Sequence, residues 1–303
     1  MHIHIVTVSS GWILQKIAER TAKACNEKVD GHTMTVSHTP DYNADANYYA
    51  DLENCYGGQK TKLDIAYFTH AHTYDPAAWL HQMLGGRNAY SNLDGLVTMN
   101  RRYTDIVLSL NWPQDRVETI TPGETRDMFP LRKIKIGVVS RGDHLSYGRE
   151  FVKRVLSSYD FTNFKLRFLG NGWDDIMPIA EEKNIDLKIT GDADYSVYPN
   201  FYESIDYLLI PGIWTAGPIS FQEALSVGIP VISANVGFAG YELVPDYMFE
   251  REDEAGLARI LDKIQEPILN RRRQVEHMTW EKYATDVTAF ISKINKMKHD
   301  PSN

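Results

Sequence analysis

Cysteine is scarce in this chain. Its 303 residues include two cysteines, Cys25 and Cys55, which are too few for a disulfide framework and are not spaced like zinc ligands. This usage is typical of proteins from a reducing compartment. The sequence therefore predicts a cytoplasmic protein with no metal site.

Long apolar runs are also missing. No stretch approaches the length needed to cross a membrane. Residues 1–8 alternate like a strand and lack the basic start and apolar run of a signal peptide. The formal net charge of −8 and the pI near 5.7 oppose a broad nucleic-acid-binding surface. We therefore expect a globular protein with neither signal peptide nor transmembrane segment.

What the chain does contain is apolar residues in alternating strand and helix patterns. The hydrophobic content of 43% supports a full core, and the length allows two domains. The strand-and-helix pattern restarts after Phe129 and Pro130, so we place a domain boundary at about residue 130. Such alternation is typical of α/β folds. We predict two Rossmann-like, doubly wound domains that face each other across a cleft.

The individual elements follow from periodicity and from Gly and Pro punctuation. The predicted strands are 2–8, 63–70, 95–98, 117–120, 134–139, 164–169, 185–189, 206–210 and 229–233. The predicted helices include 99–110, 148–158, 173–182, 199–204, 218–227, 254–265 and 280–298. Segment 41–62 is polar, aromatic and rich in turn residues. We predict that it is mainly loop, with one short helical piece around 45–52.

The most specific pattern lies between Ile205 and Leu243. An apolar run at 207–210 is bounded by Pro and Gly, which suits a buried parallel strand. Pro218 suits the first helical position because its missing N–H would have no intrahelical partner there. Gly228 then ends the helix. The free N–H groups at such a helix start are typical of a phosphate site.

Glu223 lies on an otherwise apolar stripe of this helix. It comes one turn after Ile219 and one turn before Val227. A carboxylate in an apolar setting needs hydrogen-bond partners, and ligand hydroxyls would supply them. Pairing with a neighbouring Arg, or extension into solvent, is the alternative for an isolated helical Glu.

This segment resembles the donor-site signature of the GT-B glycosyltransferases, especially the retaining family 4 (group 1) type. In that family the pattern is Glu, seven residues, Glu-Ala, then Gly-x-Pro-Val-Ile. The pair Glu223-Ala224 and the run 228–232 match it. Thr215 occupies the position of the first glutamate, which in the family helps to bind the donor sugar or the leaving phosphates.

Weaker motifs follow in the order that the resemblance requires. Arg141 follows a strand, like the family's arginine that holds the donor diphosphate. The family's partner lysine is absent near Gly148, and Arg149 is the nearest candidate. Gly170 belongs to a Gly-x-Gly turn that the family places near the nucleotide base, and Glu242 matches a glutamate beyond the donor loop. A surface turn is an equally good interpretation of Glu242.

The resemblance also assigns roles to the domains. It implies an acceptor-side domain over 1–130, a nucleotide-sugar-binding domain over 131–278, and a last helix within 279–303 that crosses back to the first domain. The acceptor would bind near Gly11 and His70, although a lone histidine after a strand is as often packing or solvent-facing. Gly11 is also among the expected nucleotide-binding residues.

Together these features imply a glycosyltransferase that moves a sugar from a nucleotide sugar, a UDP- or GDP-sugar, to an acceptor hydroxyl with retention of anomeric configuration. We expect no tightly bound cofactor. The nucleotide-binding residues would be Arg141, Arg149, Gly170, Thr215, Gly217, Pro218, Ile219, Ser220, Glu223 and Glu242. The catalytic candidates are His70 and Arg141. The acceptor could be a glycan, a lipid or a small molecule.

Two alternatives remain open on the sequence. A GT-B-shaped protein that serves as a binding or scaffold subunit would explain Thr215 and the missing lysine. A glycosyltransferase acting on a modified DNA base is the other. Residues 1–131 contain 11 Lys plus Arg against 15 Asp plus Glu, which opposes attraction of the first domain to a polyanion.

Overall fold

The computed structural model describes residues 1–7, 13–52, 60–69, 75, 77–79, 93–124, 128–214 and 217–300. The chain divides into two compact units. Unit 1 comprises Met1–Thr125 and Gln274–Asn303, and unit 2 comprises Arg126–Arg273. Each unit contains a parallel sheet of six strands, so the predicted α/β class with two doubly wound sheets is confirmed.

Unit 1 is built from both ends of the chain. Its strands are β1 (His2–Val6), β2 (Thr33–Ser37), β3 (Ala46–Tyr49), β4 (Asp64–Phe68), β5 (Gly95–Thr98) and β6 (Val117–Thr119). Its described helices are α1 (Ile13–Lys28), α2 (Arg101–Ser109) and the final helix α8 (Trp280–His299). A 3-10 turn spans Gln114–Arg116. The strand order is β2-β1-β3-β4-β5-β6.

The sheet of unit 1 is covered on both faces. On one face, α1 and α8 bury apolar stripes at helical spacing, including Ile17 and Cys25 from α1 and Val287 and Ile291 from α8. The other face packs against α2 through Val107. Such double coverage explains why the strands are mostly apolar and buried.

Strand β3 corrects the sequence prediction for segment 41–62. Residues 46–49 were predicted as loop or short helix, but they form a fully buried strand between β1 and β4. The polar Asn47 is inside this strand, and its amide bonds to the backbone of Asp41 and to Thr61, at 2.9–3.1 Å. These partners satisfy a polar side chain that, in the sequence, reads as part of a loop.

Unit 2 alternates strands and helices in sequence order. Its strands are β7 (Ile134–Val139), β8 (Phe164–Leu169), β9 (Asp186–Thr190), β10 (Tyr207–Ile210), β11 (Val231–Ala234) and β12 (Tyr247–Phe249). Its helices are α3 (Arg149–Ser158), α4 (Met177–Glu182), α5 (Tyr198–Glu203), α6 (Ile219–Ser226) and α7 (Glu254–Arg273). Its 3-10 turns are Leu145–Tyr147, Asp174–Ile176 and Tyr195–Val197.

The strand order of unit 2 defines where a ligand can bind. The order is β12-β11-β10-β7-β8-β9, so the chain builds outward from β7 in one direction and then returns to β10 to build in the other. The direction in which successive strands are added to the sheet therefore reverses between β7 and β10. In open α/β sheets, ligands bind beyond the carboxyl ends of the strands at such a switch point.

The helices that the structure describes include none that is long and apolar enough to span a membrane. The longest helix in unit 2, α7, extends to Arg273, beyond the predicted end at 265, and contains Pro267. Its last turn holds three consecutive arginines, which complement the negative end of the helix dipole.

Candidate functional site

A cavity of about 580 Å³ lies in unit 2 at the predicted edge of the sheet. Its walls come from the ends of β7, β8 and β10, from the segment after β9 and from the start of α6. The lining residues are Val139, Ser140, Arg141, Tyr147, Leu169, Gly170, Asp192, Tyr195, Tyr198, Leu209, Ile210, Pro211, Gly212, Gly217, Pro218, Ile219, Ser220 and Glu223. The cavity thus spans the switch point between β7 and β10.

The segments after β7 and β8 form a close-packed wall of the cavity. Gly170 has φ 126, and a Cβ atom there would lie 2.3 Å from the Ser140 carbonyl oxygen. An L-residue would meet both an unfavourable φ and a backbone clash. The indole of Trp173 donates a hydrogen bond to the same Ser140 oxygen at 2.8 Å. Glycine is therefore required for the two segments to meet at this wall.

The first turn of α6 forms a second wall. The helix begins at Ile219 with Pro218 as its N-cap, one residue later than the sequence predicted. Gly217, Pro218, Ile219 and Ser220 all line the cavity. The N–H groups of a helix's first turn have no intrahelical acceptor, and the helix dipole adds partial positive charge there. This wall can accept an anionic group.

Arg141 is the one cation among the described residues that line the cavity. Its side chain is 62% exposed, and Nη2 donates to Asp143 Oδ2 at 2.7 Å. This hydrogen bond raises the pKa of Arg141, and the nearby Asp192 adds to the effect. The same bond lowers the pKa of Asp143. The guanidinium therefore remains charged at the mouth of the cavity, with an exposed pairing that a stronger anion can replace.

Glu223 reaches the cavity from the middle of α6. Each carboxylate oxygen accepts a tyrosine hydroxyl: Oε1 from Tyr195, and Oε2 from Tyr202 at 2.6 Å. Burial and then this bond raise the pKa of Tyr202, whereas the bond to Glu223 is the main cause of the raised pKa of Tyr195. The sequence pattern predicts ligand hydroxyls as the partners of Glu223. In the structure, a tyrosine hydroxyl occupies one acceptor site on each of the Glu223 carboxylate oxygens.

Sequence reasoning missed both tyrosines. Tyr195 and Tyr202 lie 28 and 21 residues before Glu223, on a 3-10 turn and on α5. Strand β10 lies between both tyrosines and α6 in the sequence, so no local periodicity relates them to Glu223. The one available signal was that a carboxylate in an apolar setting needs hydrogen-bond donors. This signal does not identify which residues supply them.

Two of the expected binding residues lie elsewhere. Arg149 begins α3, with Nε 3.6 Å from Glu150 and from Asp175, and it does not line the cavity. Glu242 is exposed in a turn and is likewise not among the described lining residues. Arg149 thus forms ion pairs with two acidic residues that do not line the cavity. Gly11, His70 and Thr215 fall outside the described residues.

One group of potential metal ligands occurs among the described residues. His2, His4 and Asp41 of unit 1 place their ligand atoms within 4.8 Å of one another. Both His4 ring nitrogens already have protein partners, namely Thr35 Oγ1 at 2.7 Å and, for Nε2, Ser37 Oγ at 2.8 Å. This cluster is a satisfied hydrogen-bond network in unit 1, apart from the cavity residues of unit 2.

The similarity to solved structures is broad and low. WaaB, a lipopolysaccharide outer core galactosyltransferase in apo form, is 11% identical over 96% of this chain and 99% of that chain, with a TM-score of 0.39. HepE of Anabaena in complex with UDP-glucose is 10% identical over 98% of both chains, with a TM-score of 0.39. Sucrose-phosphate synthase from Thermosynechococcus elongatus is 13% identical over 97% and 98%, with a TM-score of 0.40. Values this low carry no conclusion about donor or acceptor.

The family comparison concerns unit 2 directly. No curated protein matches the chain. Residues 135–266, less than half of the chain, match the family model described as Glycosyl transferases group 1. All the residues that line the cavity lie within this range. This match agrees with the resemblance to group 1 glycosyltransferases found in the sequence, and it covers most of unit 2.

Proposed function

We propose that this cavity binds the nucleoside diphosphate of a nucleotide sugar, UDP- or GDP-linked, and that the protein transfers the sugar to an acceptor hydroxyl with retention of configuration. The observation that carries the proposal is the convergence of Arg141, the first turn of α6 and Glu223 on one cavity at the switch point of unit 2. A cation, a helix N-terminus and a carboxylate match the phosphates and the ribose hydroxyls of such a donor.

The phosphate end is assigned to Arg141 and the start of α6. When the bond between sugar and phosphate breaks, negative charge grows on the leaving diphosphate. A guanidinium can donate two parallel hydrogen bonds to phosphate oxygens, and the first-turn N–H groups add fixed dipoles. Donors already oriented toward that charge stabilise it more in the transition state than in the ground state. The leaving phosphate itself would then help to deprotonate the acceptor.

The ribose end is assigned to Glu223. An ionised carboxylate offers about four acceptor sites on its two oxygens. The two tyrosine hydroxyls use one on each oxygen. Oε2 can therefore accept one further hydroxyl beside the buried Tyr202, and Oε1 can accept another at its second site or in exchange for the exposed Tyr195 hydroxyl. Gly170 lines the neighbouring wall, and the resembled family places its Gly-x-Gly turn near the nucleotide base.

Acceptor binding is assigned to unit 1, near Gly11 and His70. This assignment rests on the resemblance and on the rule that ligands meet the carboxyl ends of parallel strands. The strand β4 ends at Phe68, two residues before His70.

A donor panel tests the proposal. The protein is titrated with UDP-, GDP- and ADP-sugars by calorimetry, and slow donor hydrolysis is followed by release of the nucleoside diphosphate. We expect one nucleotide series to bind and to be hydrolysed. Absence of both binding and hydrolysis across the panel would overturn the proposal and favour a binding or scaffold role.

Replacement of Glu223 by Ala separates an enzyme from a scaffold. We expect the donor to bind more weakly by about 1–3 kcal/mol because hydrogen bonds to its hydroxyls are lost. Glu266→Ala, on α7 and outside the cavity, is the control. Unchanged donor affinity and turnover in Glu223→Ala would remove Glu223 from the binding site.

A further inference from the structure

Glu223 is held by two tyrosines whose surroundings differ. The Tyr202 side chain is on α5 and only 3% exposed, whereas Tyr195 is on a 3-10 turn and 66% exposed. Both donate to the same carboxylate, one to each oxygen. A buried donor and an exposed donor on one carboxylate cannot have the same function, because only the exposed one can be exchanged for a ligand without unpacking the core.

We propose that Tyr202 is a positioning residue that fixes Glu223 in the cavity, and that the Tyr195 hydroxyl holds the place of one donor hydroxyl and is displaced when the donor binds. This inference rests on the proposed function. It adds a residue that orients the binding carboxylate, and it assigns a site on Oε1 to the ligand.

The packing of Tyr202 supports its positioning role. Its ring belongs to the apolar core of unit 2 and lies beside Phe201, with ring centroids 6.1 Å apart. Its hydroxyl is 2.6 Å from Glu223 Oε2 and 3.4 Å from the Ser220 carbonyl oxygen. Tyr202 thus connects α5 to two residues of α6 that line the cavity. A carboxylate held by a donor of fixed position loses less conformational freedom when a ligand binds.

The exposure of Tyr195 supports its displacement. Its hydroxyl competes with water for Glu223, so its bond can be exchanged at small cost. A ribose hydroxyl is chemically the same kind of donor and can take the same lone pair. The Tyr195 ring also contacts Tyr198, with centroids 4.9 Å apart, and both rings line the cavity. The ring can therefore remain at the wall after its hydroxyl has left Glu223.

The two parts of the inference predict different effects on donor affinity. Tyr202→Phe should weaken donor affinity about fivefold, which corresponds to the loss of one hydrogen bond to the binding carboxylate. Its effect should appear in KM more than in kcat, because the ribose is remote from the reacting bond. Tyr195→Phe should leave donor affinity unchanged or increase it, because it removes a competitor for Oε1.

The experiment measures affinity, KM and kcat with the nucleotide sugar that the wild-type protein binds, for both variants and for Tyr159→Phe. Tyr159 is the matched control because its hydroxyl donates to a carboxylate oxygen of Asp262 at 2.7 Å, in unit 2 but outside the cavity. Circular dichroism and thermal unfolding establish that each variant folds. If a folded Tyr202→Phe binds the donor as well as the Tyr159 control does, the positioning role is overturned. If Tyr195→Phe loses as much affinity as Tyr202→Phe, the displacement is overturned.

A second measurement does not depend on turnover. In protein carrying ¹³C at tyrosine Cζ, the Tyr195 resonance is identified by its loss in Tyr195→Phe, and its pKa is followed by titration. Glu223→Gln should lower this pKa, and saturating donor should shift the resonance as the hydroxyl is released. A resonance that neither change moves would overturn the displacement. If the wild-type protein binds no nucleotide sugar, the proposed function fails and this inference fails with it. If the wild type binds but Tyr202→Phe behaves like the control, or Tyr195→Phe loses as much affinity as Tyr202→Phe, this inference alone fails.

Discussion

Two interpretations of Arg141 can be distinguished by experiment: a partner in a surface ion pair, and a residue that contacts a ligand. Its bond to Asp143 is exposed, and pairs of this kind contribute little to stability. The same guanidinium lines the cavity, where a planar pair of donors can bind phosphate oxygens. The two roles predict different outcomes for a substitution that retains the positive charge but removes the planar pair of N–H donors.

We expect Arg141→Lys to leave the free energy of unfolding almost unchanged and to lower kcat about tenfold or more, because an ammonium cannot reproduce two parallel hydrogen bonds that strengthen as the phosphate gains charge. The loss in kcat should exceed the rise in KM. Denaturant unfolding and steady-state kinetics measure the two effects. Arg154→Lys is the control, since Arg154 pairs with Glu252 and Glu254 outside the cavity. Wild-type turnover in Arg141→Lys would remove Arg141 from the site.

At the scale of elements, the sequence predicts five of the six strands of unit 2, because they are short apolar runs bounded by turn residues. It misses β12, which has three residues and only one buried side chain. It also misses β2, in which only Met34 is buried, and β3, whose polar Asn47 is satisfied by Asp41 and Thr61 outside the strand. Local pattern indicates an element when the apolar surface is continuous, but not when tertiary hydrogen bonds make a polar residue acceptable in the core.

The candidate site follows the same division. Arg141, Gly170, the start of α6 and Glu223 were predictable because each belongs to a local motif at the end of a strand or the start of a helix. Tyr195 and Tyr202 were not, since their relation to Glu223 exists only after α5 has packed beside α6. Arg149 was predicted from its position in sequence; it forms an ion pair with Asp175 and does not line the cavity.

The wall between the segments after β7 and β8 provides a test of element packing. Gly170→Ala should lower the free energy of unfolding by about 3 kcal/mol, because φ 126 is unfavourable for alanine and its Cβ would lie 2.3 Å from a backbone oxygen. Gly228→Ala is the control: φ there is 76, and nothing lies within 4 Å of the added Cβ. It should cost only about 1 kcal/mol. Equal losses in denaturant titrations of the two variants would show that the clash is relieved by movement of the wall.

At the scale of the whole molecule, unit 1 depends on the far end of the chain. Helix α8 supplies part of its core, and Lys298 near the end of α8 contacts Asp94 Oδ1 at 3.0 Å. Lys60 reaches Oδ2 of the same carboxylate at 2.8 Å, and the backbone N–H of Asp64 also donates to it. Asp94 therefore joins the segment before β5, the segment before β4 and the terminal helix. Removing its charge should weaken a contact between parts of the chain about 200 residues apart.

The pKa of Asp94 makes this contact sensitive to pH. Burial alone would raise the pKa, but the hydrogen bonds from Lys60, the Asp64 N–H and Lys298 outweigh it and lower the pKa. Since the folded-state pKa is below the unfolded-state value, Asp94 contributes stability above the unfolded pKa, and the contribution disappears as the pH falls through the folded pKa. We expect Asp94→Asn to cost about 1–2 kcal/mol of unfolding free energy at pH 7 and less at pH 3, which lies below the unfolded-state pKa.

Denaturant unfolding of wild type and variant at both pH values measures the difference. Asp105→Asn is the control, because Asp105 forms an exposed pair with Arg101 within α2 and should change stability little at either pH. If Asp94→Asn lowers the free energy of unfolding equally at pH 3 and pH 7, packing of the side chain rather than its charge stabilises the contact with α8. A loss that is smaller at pH 3 than at pH 7 would place the stabilisation in the ionised carboxylate and its two lysine partners, which is the outcome that the lowered pKa requires.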